Sequence, residues 1–175
     1  MAEILTERLC LRAVARRDLG RIVEAMSDWA VQQWLEDPPY PYTEADARAW
    51  LKIVARDHAH GRPRAFAVAE RAGDRLAGCI ALNGVGASPM LGYWVHRDAW
   101  GLGYATEAAR ALLAYARETL GARSVMSITD PDNRPSQRVL TKLGFACLGE
   151  AHRDQPTRRG ASYVVPYRLD QIAAE

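Results

Sequence analysis

The sequence predicts a mixed α/β fold: a central, mostly antiparallel sheet of about seven strands flanked by helices. Three observations predict it. Seven short segments carry the period-two or near-continuous apolar pattern of strands. Other segments repeat apolar residues every three or four positions, as helices do. One strand–helix–strand succession over residues 90–129 calls for a parallel pair inside the sheet. At 175 residues the chain is expected to be a single domain spanning 1–175. Its 49% hydrophobic and 25% charged residues set aside disordered, collagen-like and coiled-coil classes.

Residues 8–14 (RLCLRAV) alternate apolar and polar side chains and form the first strand. From 18 to 35, Leu19, Ile22, Val23, Met26, Val31, Trp34 and Leu35 recur at helical steps, softly broken near Trp29, so one or two helices run until DPPYPY stops them. Thr43 precedes Asp46 as in a capping box, and Ala47, Trp50, Leu51 and Val54 make the buried stripe of a helix ending near Gly61. Residues 65–70 (AFAVAE), 76–82 (LAGCIAL) and 90–95 (MLGYWV) read as an antiparallel meander, its first two strands joined by a turn at Gly73 and Asp74. After a glycine-rich bend, Ala105, Ala108, Ala109, Leu112, Leu113, Ala116 and Leu120 share one helical face, and Gly121 supplies the C-cap. Residues 124–129 (SVMSIT) form a strand, 135–143 a short helix, and 146–150 and 163–169 the last two strands.

Charge argues against a nucleic-acid binder. Lys and Arg number 23 against 21 Asp and Glu, a net +2. The arginines are scattered as solvated faces (Arg12, Arg16, Arg17 and Arg21; Arg62, Arg64, Arg71 and Arg75; Arg153, Arg158 and Arg159) rather than gathered to neutralise phosphates. No run reaches the roughly 18 apolar residues of a membrane span, and Glu3, Glu7 and Arg8 interrupt any signal-peptide core, so a cytoplasmic protein without membrane partners is expected. Cys10, Cys79 and Cys147 are odd in number, far apart and set among apolar residues. They are expected as reduced core thiols, with no disulfide and no metal site.

The chemistry concentrates in two stretches. Residues 94–107 run from a strand through Gly101 and Gly103 into the alanine-rich helix. Free N–H groups of a first helical turn, with the helix dipole behind them, make such a bend a candidate cradle for a diphosphate. On their own the glycines fit a tight turn alone, the commoner meaning of a lone GxG. A nucleotide-hydrolase phosphate loop is excluded because no Lys-Ser or Lys-Thr pair follows them, and Thr106 stands where a dinucleotide fingerprint needs its third small residue. The second stretch, 132–145, follows the strand at 124–129. If the strands at 90–95 and 124–129 are parallel neighbours, their C-terminal ends bring the glycine bend and Asn133 together, where ligands bind in such sheets. Asn133 also fits as a plain N-cap, with Pro135 in the first turn.

Taken together, LRAV at 11–14, LAGCIAL at 76–82, LGYWVHRDAWGLGYATEA at 91–108 and NRPSQRVLTKLGF at 133–145 resemble, in order and spacing, the GNAT N-acetyltransferase superfamily, specifically its ribosomal-protein N-acetyltransferase-like (RimJ/RimL-type) branch. The resemblance covers nearly the whole chain. It implies an acetyl-CoA-binding fold whose fourth and fifth strands, at 90–95 and 124–129, splay to admit the pantetheine arm. It implies that Trp94 and Val95 offer backbone groups to pantetheine, and that Trp100, Gly101, Leu102, Gly103, Ala105 and Thr106 bind the pyrophosphate. Asn133 and Ser136 would approach the pantetheine and sulfur from the other side. Two departures stand out: Asp98 occupies the place, three residues before the first glycine, where the superfamily usually has Gln or Arg, and the tyrosine that many members use to protonate the leaving thiolate falls at Leu140.

The implied reaction is direct transfer. A neutral amine attacks the thioester, a backbone N–H near Val95 stabilises the oxyanion, and CoA leaves as a thiolate with Ser136 as its hydrogen-bond partner or acid. An α-amino group, with a pKa of about 8 against about 10.4 for lysine, is partly neutral at physiological pH and asks less of a base. Water, Glu36, Asp37 and His96 remain open as that base. The acceptor, a protein N-terminus or a small-molecule amine such as a polyamine, is expected beneath Trp29, Trp34, Tyr40 and Tyr42, although Trp34 and Trp50 also fit as core residues. A monomer or a homodimer fits. The competing reading is a binding module that senses acyl-CoA without turnover.

Overall fold

The computed structural model describes residues 3–60, 65–84 and 88–170. In chain order, β1 (Ile4–Leu5) and β2 (Leu9–Arg12) precede α1 (Leu19–Ser27), α2 (Trp29–Gln32) and α3 (Glu44–Ala59). Then come β3 (Ala65–Glu70), β4 (Leu76–Asn83), β5 (Met90–Val95), α4 (Tyr104–Leu120), β6 (Ser124–Thr129) and α5 (Arg134–Lys142), and last β7 (Ala146–Cys147), β8 (Ala151–His152) and β9 (Tyr163–Asp170). Gly61, the expected end of α3, lies outside the described residues with Arg62 and Arg64.

Local chemistry explains the boundaries. α1 stops at Asp28, whose ψ of 111° leaves the helical region; its carboxylate then accepts the Ala30 N–H and starts α2, which is the break expected near Trp29. The capping box forms at α3, with the Asp46 carboxylate accepting the Thr43 N–H at 2.8 Å and the Thr43 hydroxyl oxygen accepting the Asp46 N–H at 3.3 Å. Gly121 caps α4 at a φ of 66°, a left-handed turn that a side chain would oppose.

The sheet order is β1-β2-β3-β4-β5-β6-β9-β7, with β8 paired to β9 off that path. All pairs are antiparallel except β5 with β6. The nine described strands exceed the seven expected because β1 is too short to show a period, and because the strand expected over 146–150 shortens to β7 while a further short strand, β8, forms past Gly149, whose φ is 91°. At Gly78 a Cβ would meet the Trp94 carbonyl oxygen at 2.3 Å, so glycine is what allows β4 and β5 their close approach.

Alternation along the strands sends side chains into two apolar layers. Phe66, Val68, Ile80, Leu82, Leu91 and Val125 pack with Ala108, Ala109 and Leu112 of α4 and Leu140 of α5. On the opposite face Ala67 and Cys79 pack with Ile22 and Met26 of α1 and Ala47 and Val54 of α3. Two expectations change here. Cys79 is a core thiol, but Cys147 is exposed, because both residues of the two-residue strand β7 remain in solvent. Arg12 is not solvated: it is buried, and its guanidinium grips the buried Asp18 carboxylate at 2.8 and 2.9 Å, tying the start of α1 to β2. Among the described residues no helix is long and apolar enough to cross a membrane.

Candidate functional site

β5 and β6 share one rung of register, Met90 with Met126. The Met126 N–H donates to the Pro89 carbonyl at 2.9 Å and the Ser127 hydroxyl to the Leu91 carbonyl at 3.0 Å; beyond these the strands part. Main-chain groups alternate in direction along a strand. On the other edge of β5, the His96 N–H donates to Ala77 of the β4 side at 2.8 Å. Even-numbered residues of β5 therefore address β4, and Tyr93 and Val95 turn their main-chain groups to the opening. Ile128 does the same from β6. Trp94, expected as a pantetheine contact, stands opposite Cys79 in the β4 register, and its side chain packs in the layer beneath α1 and α3. Of the expected pair only Val95 presents main chain to the opening. Tyr93 joins it, a residue that strand parity would have selected.

Past Val95 the chain makes a single 3-10 turn, Arg97–Ala99, and then the glycine bend. Gly101 and Gly103 take φ values of 77° and 82°, and the Trp100 indole N–H donates to the Val95 carbonyl at 2.8 Å, fastening the bend to the strand. Gly103 is the N-cap of α4 and brings no side chain to its first turn, so the amides there lack a side-chain acceptor. Trp100 and Leu102 are exposed, and Ala105 and Thr106 half-buried. Asp98 faces elsewhere. Its carboxylate binds Arg21 at 3.0 Å and Arg75 at 2.8 Å, and these partners hold it down to a pKa of about 2, with the Arg21 hydrogen bond the largest influence. The first-turn acid Glu107 is likewise occupied, by the Thr6 hydroxyl at 2.6 Å and by Arg8, whose guanidinium also donates to the Leu102 carbonyl at 2.9 Å. Nothing in the sequence pattern marks Arg8 for this place at the bend.

Opposite the bend, Asn133 caps α5, accepting the Ser136 N–H at 3.2 Å; its amide nitrogen has no partner among the described residues. Ser136 is half-buried in the first turn. Its hydroxyl lies 2.9 Å from the Tyr93 hydroxyl. Leu140 is fully buried in the core, one turn below. At the end of β6 the buried Thr129 hydroxyl has no hydrogen-bond partner.

On the α1 and α2 face, Trp29 and Tyr40 are exposed and lie 5.2 Å apart, while Trp34 and Trp50 are half-buried, Trp50 against the core. Arg158 fixes this cover by donating to the carbonyls of Leu35 at 2.7 Å, Glu36 at 3.0 Å and Pro38 at 2.6 Å. Arg159 lies over the Trp34 ring, 4.7 Å from its centroid, and Arg153 pairs with Glu36. The neighbouring Thr157 donates to the buried Asp130 carboxylate at 2.8 Å, anchoring the same loop to the end of β6. Arg153, Arg158 and Arg159, expected as a solvated face, are the fastening of the cover. An open depression of about 320 Å³ lies beside it, lined by Glu24, Ala25, Asp28, His96, Arg97 and Asp98.

A protein-family model described as an acetyltransferase (GNAT) domain matches residues 8–146. Uncharacterized N-acetyltransferase YnaD of Bacillus subtilis (strain 168) is 30% identical over 144 residues, covering 81% of this chain and 81% of its own. The ribosomal-protein-serine acetyltransferase of Escherichia coli (strain K12) is 26% identical over 156 residues, covering 84% and 86%. The structure of RimL, a ribosomal L7/L12 alpha-N-protein acetyltransferase in complex with coenzyme A, superposes with a TM-score of 0.82 at 22% identity, covering 99% of this chain and 100% of that one, a likeness of fold. A splayed parallel pair inside an antiparallel sheet, with a glycine bend at its mouth and these relatives around it, leaves one assignment: the chain belongs to the GNAT acetyltransferase family, in the company of its RimJ/RimL-like branch, and is an acetyl-transferring enzyme.

Proposed function

We propose that the chain, acting as one domain in the cytoplasm, moves the acetyl group of acetyl-CoA directly to a primary amine in a ternary complex, the amine being a protein N-terminal α-amine or a small molecule. The observation that carries this reading is the single rung between β5 and β6, which leaves the amides of Tyr93 and Val95 unpaired beside a glycine-built bend. Acetyl-CoA supplies an activated thioester and a diphosphate by which it is held. The residues fit it on grounds internal to this chain: a Cβ at Gly101 would meet no atom within 4 Å, the first turn of α4 has no side-chain cap, and the Thr129 hydroxyl is buried without a partner.

In this reading the main chain at Trp100, Gly101, Leu102, Gly103, Ala105 and Thr106 holds the diphosphate, since N–H groups at a helix start carry both donors and positive potential. The N–H groups of Tyr93 and Val95 serve the pantetheine arm and the carbonyl under attack. Trp94 contributes by seating β5 on the core. The Asn133 amide nitrogen and the Ser136 hydroxyl meet the arm from α5. Ser136 acts as a hydrogen-bond donor to the departing sulfur; an aliphatic hydroxyl holds its proton far too tightly to surrender it to a thiolate, whose conjugate thiol has a pKa near 8.5. Direct transfer needs no enzyme nucleophile, and Cys79 is ill suited to be one, since burial pushes its thiol up, away from the reactive thiolate.

Mass spectrometry of products after incubation with acetyl-CoA and a panel of spermidine, free lysine and peptides with N-terminal Ser or Ala tests the proposal. Acetylated product with stoichiometric thiol release is expected, and intersecting initial-rate plots distinguish the ternary complex from a double displacement. CoA binding with no acceptor-dependent thiol release would favour the sensor reading.

A further inference from the structure

Tyr93 joins two features that the sequence keeps 43 residues apart. Its main-chain N–H faces the splay by strand parity, and its ring enters the layer beneath α4 and α5, where the hydroxyl lies 2.9 Å from the Ser136 hydroxyl and 3.3 Å from the Ser136 carbonyl oxygen. The contact runs from β5 to the helix that follows β6, so it spans the opening on the α4–α5 side. Ser136 is held at its N–H by Asn133, and among the described residues Tyr93 is the one partner of its hydroxyl.

We infer that Tyr93 is a positioning residue for Ser136: the phenol donates to the serine oxygen and so keeps the serine's own O–H free to point at the sulfur of CoA. This deepens the proposed acetyl transfer and rests on it. Three features support that direction. A phenol O–H is the stronger donor of the two and the 2.9 Å contact to the serine oxygen is the shorter, whereas 3.3 Å to the carbonyl is a weak bond. Burial pushes the Tyr93 phenol up to about 12, so it stays a neutral donor across the working pH range. A phenol is already a weaker acid than a thiol, about 10 against 8.5, and burial weakens it further, which favours hydrogen bonding over proton transfer in the pair. Leu140 offers no competing polar group, being fully buried in the core one turn below.

The test measures the ionisation of the CoA thiol on the protein, from the ultraviolet absorbance of the thiolate titrated against pH, alongside steady-state kinetics. In the wild type the bound thiol is expected to ionise at lower pH than free CoA. Tyr93→Phe keeps the ring in the core and removes only the hydroxyl. It is expected to lower the bound thiol's ionisation constant and kcat together by roughly three- to tenfold, the worth of one hydrogen bond, with KM for acetyl-CoA within about twofold of wild type. Ser136→Ala should give at least the same loss, and the double variant no more than Ser136→Ala alone, since the phenol acts through the serine. Additive losses, or a Tyr93→Phe enzyme with wild-type kcat and thiol ionisation, overturn the inference. If Tyr93→Phe does not fold, the wild-type titration still decides: a bound thiol ionising no more readily than free CoA overturns it. Absence of acceptor-dependent turnover in the wild type would instead overturn the acetyl-transfer reading and leave the thiol titration standing as its own result.

Discussion

The two walls of the cleft are built from different materials. On the side proposed for the cofactor the available groups are main chain: the unpaired amides of Tyr93 and Val95, and the first turn of α4 behind Gly101 and Gly103. On the side proposed for the acceptor the cover formed by α2 and the proline-rich loop is fastened by side chains, with Arg158 holding three carbonyls and Arg153 and Arg159 gripping Glu36 and Trp34. A main-chain site depends on glycine and strand parity and tolerates many side chains around it. A side-chain clasp can be re-cut by a few substitutions, which would suit a wall that selects the amine.

The largest expected effect falls on the proposed acceptor side, where α1 hangs from the Arg12–Asp18 pair. Both partners are buried, and Asp18 also accepts the Ala15 N–H at 2.8 Å. Asp18→Ala leaves the buried Arg12 guanidinium with only the half-exposed Asp74 carboxylate, at 2.6 Å, and should cost about 3 kcal/mol in urea unfolding, the low end for breaking a buried pair. A loss under about 1 kcal/mol would mean that packing of Ile22 and Met26, rather than charge, holds this half.

Gly103→Val probes the main-chain side. At a φ of 82° a β-branched residue is strained, and its side chain would crowd the amides and the Arg8 guanidinium, 3.5 Å from an added Cβ. Losing access to those amides should raise the Kd for CoA roughly 100-fold by calorimetry, about 2.7 kcal/mol. If acceptor KM rises while CoA affinity holds, the division of labour between the walls is wrong.

Arg158→Ala is the mirror experiment. Releasing the carbonyls of Leu35, Glu36 and Pro38 loosens the cover, and the expected result is an acceptor KM about tenfold higher with the Kd for CoA unchanged. Equal effects on both ligands would show that the loop at 153–161 supports the whole cleft through Thr157 and Asp130 rather than one wall of it.

The same difference in material explains what the sequence could disclose. The bend at 100–106, the capping box at Thr43 and the meander at 65–95 rest on glycines, caps and periodicity, all local and all written in adjacent residues. The contacts from Arg158 to the cover bridge 120 to 126 positions, and charge balance gave no hint that this arginine was other than solvated. Tyr93 was hidden differently: MLGYWV has the pattern of a buried strand, and only its register with β4 decides that residues 93 and 95, rather than 94, open onto the cleft. Cys147 misled because apolar neighbours in sequence, such as Phe145 and Leu148, do not cover a two-residue strand whose side chains both stay exposed.

Asp98 sits where the two walls meet, and its substitution should have the smallest effect. It belongs to the bend of the cofactor side, yet its carboxylate reaches Arg21 on α1 and Arg75 beside β4. With 43% of its side chain exposed, the pairing is screened, and Asp98→Asn should cost less than about 1 kcal/mol at neutral pH. The pH dependence has a definite sign. Its folded pKa, about 2, lies below the ordinary aspartate value near 3.9, so the stabilisation is fully present above roughly pH 4 to 5 and is lost as pH falls through 4 toward 2, where folded and unfolded chains hold the proton alike. The gap between wild type and Asp98→Asn in unfolding midpoints should therefore close over that window. CoA affinity supplies the sharper reading: a carboxylate turned to the arginines leaves the Kd within about twofold when it is removed, whereas one facing the diphosphate would make the variant bind several-fold tighter by relieving like-charge repulsion. A tighter-binding Asp98→Asn would mean that the arginines release Asp98 toward the bend when the diphosphate is present, and the boundary between the two walls would have to be redrawn through residue 98.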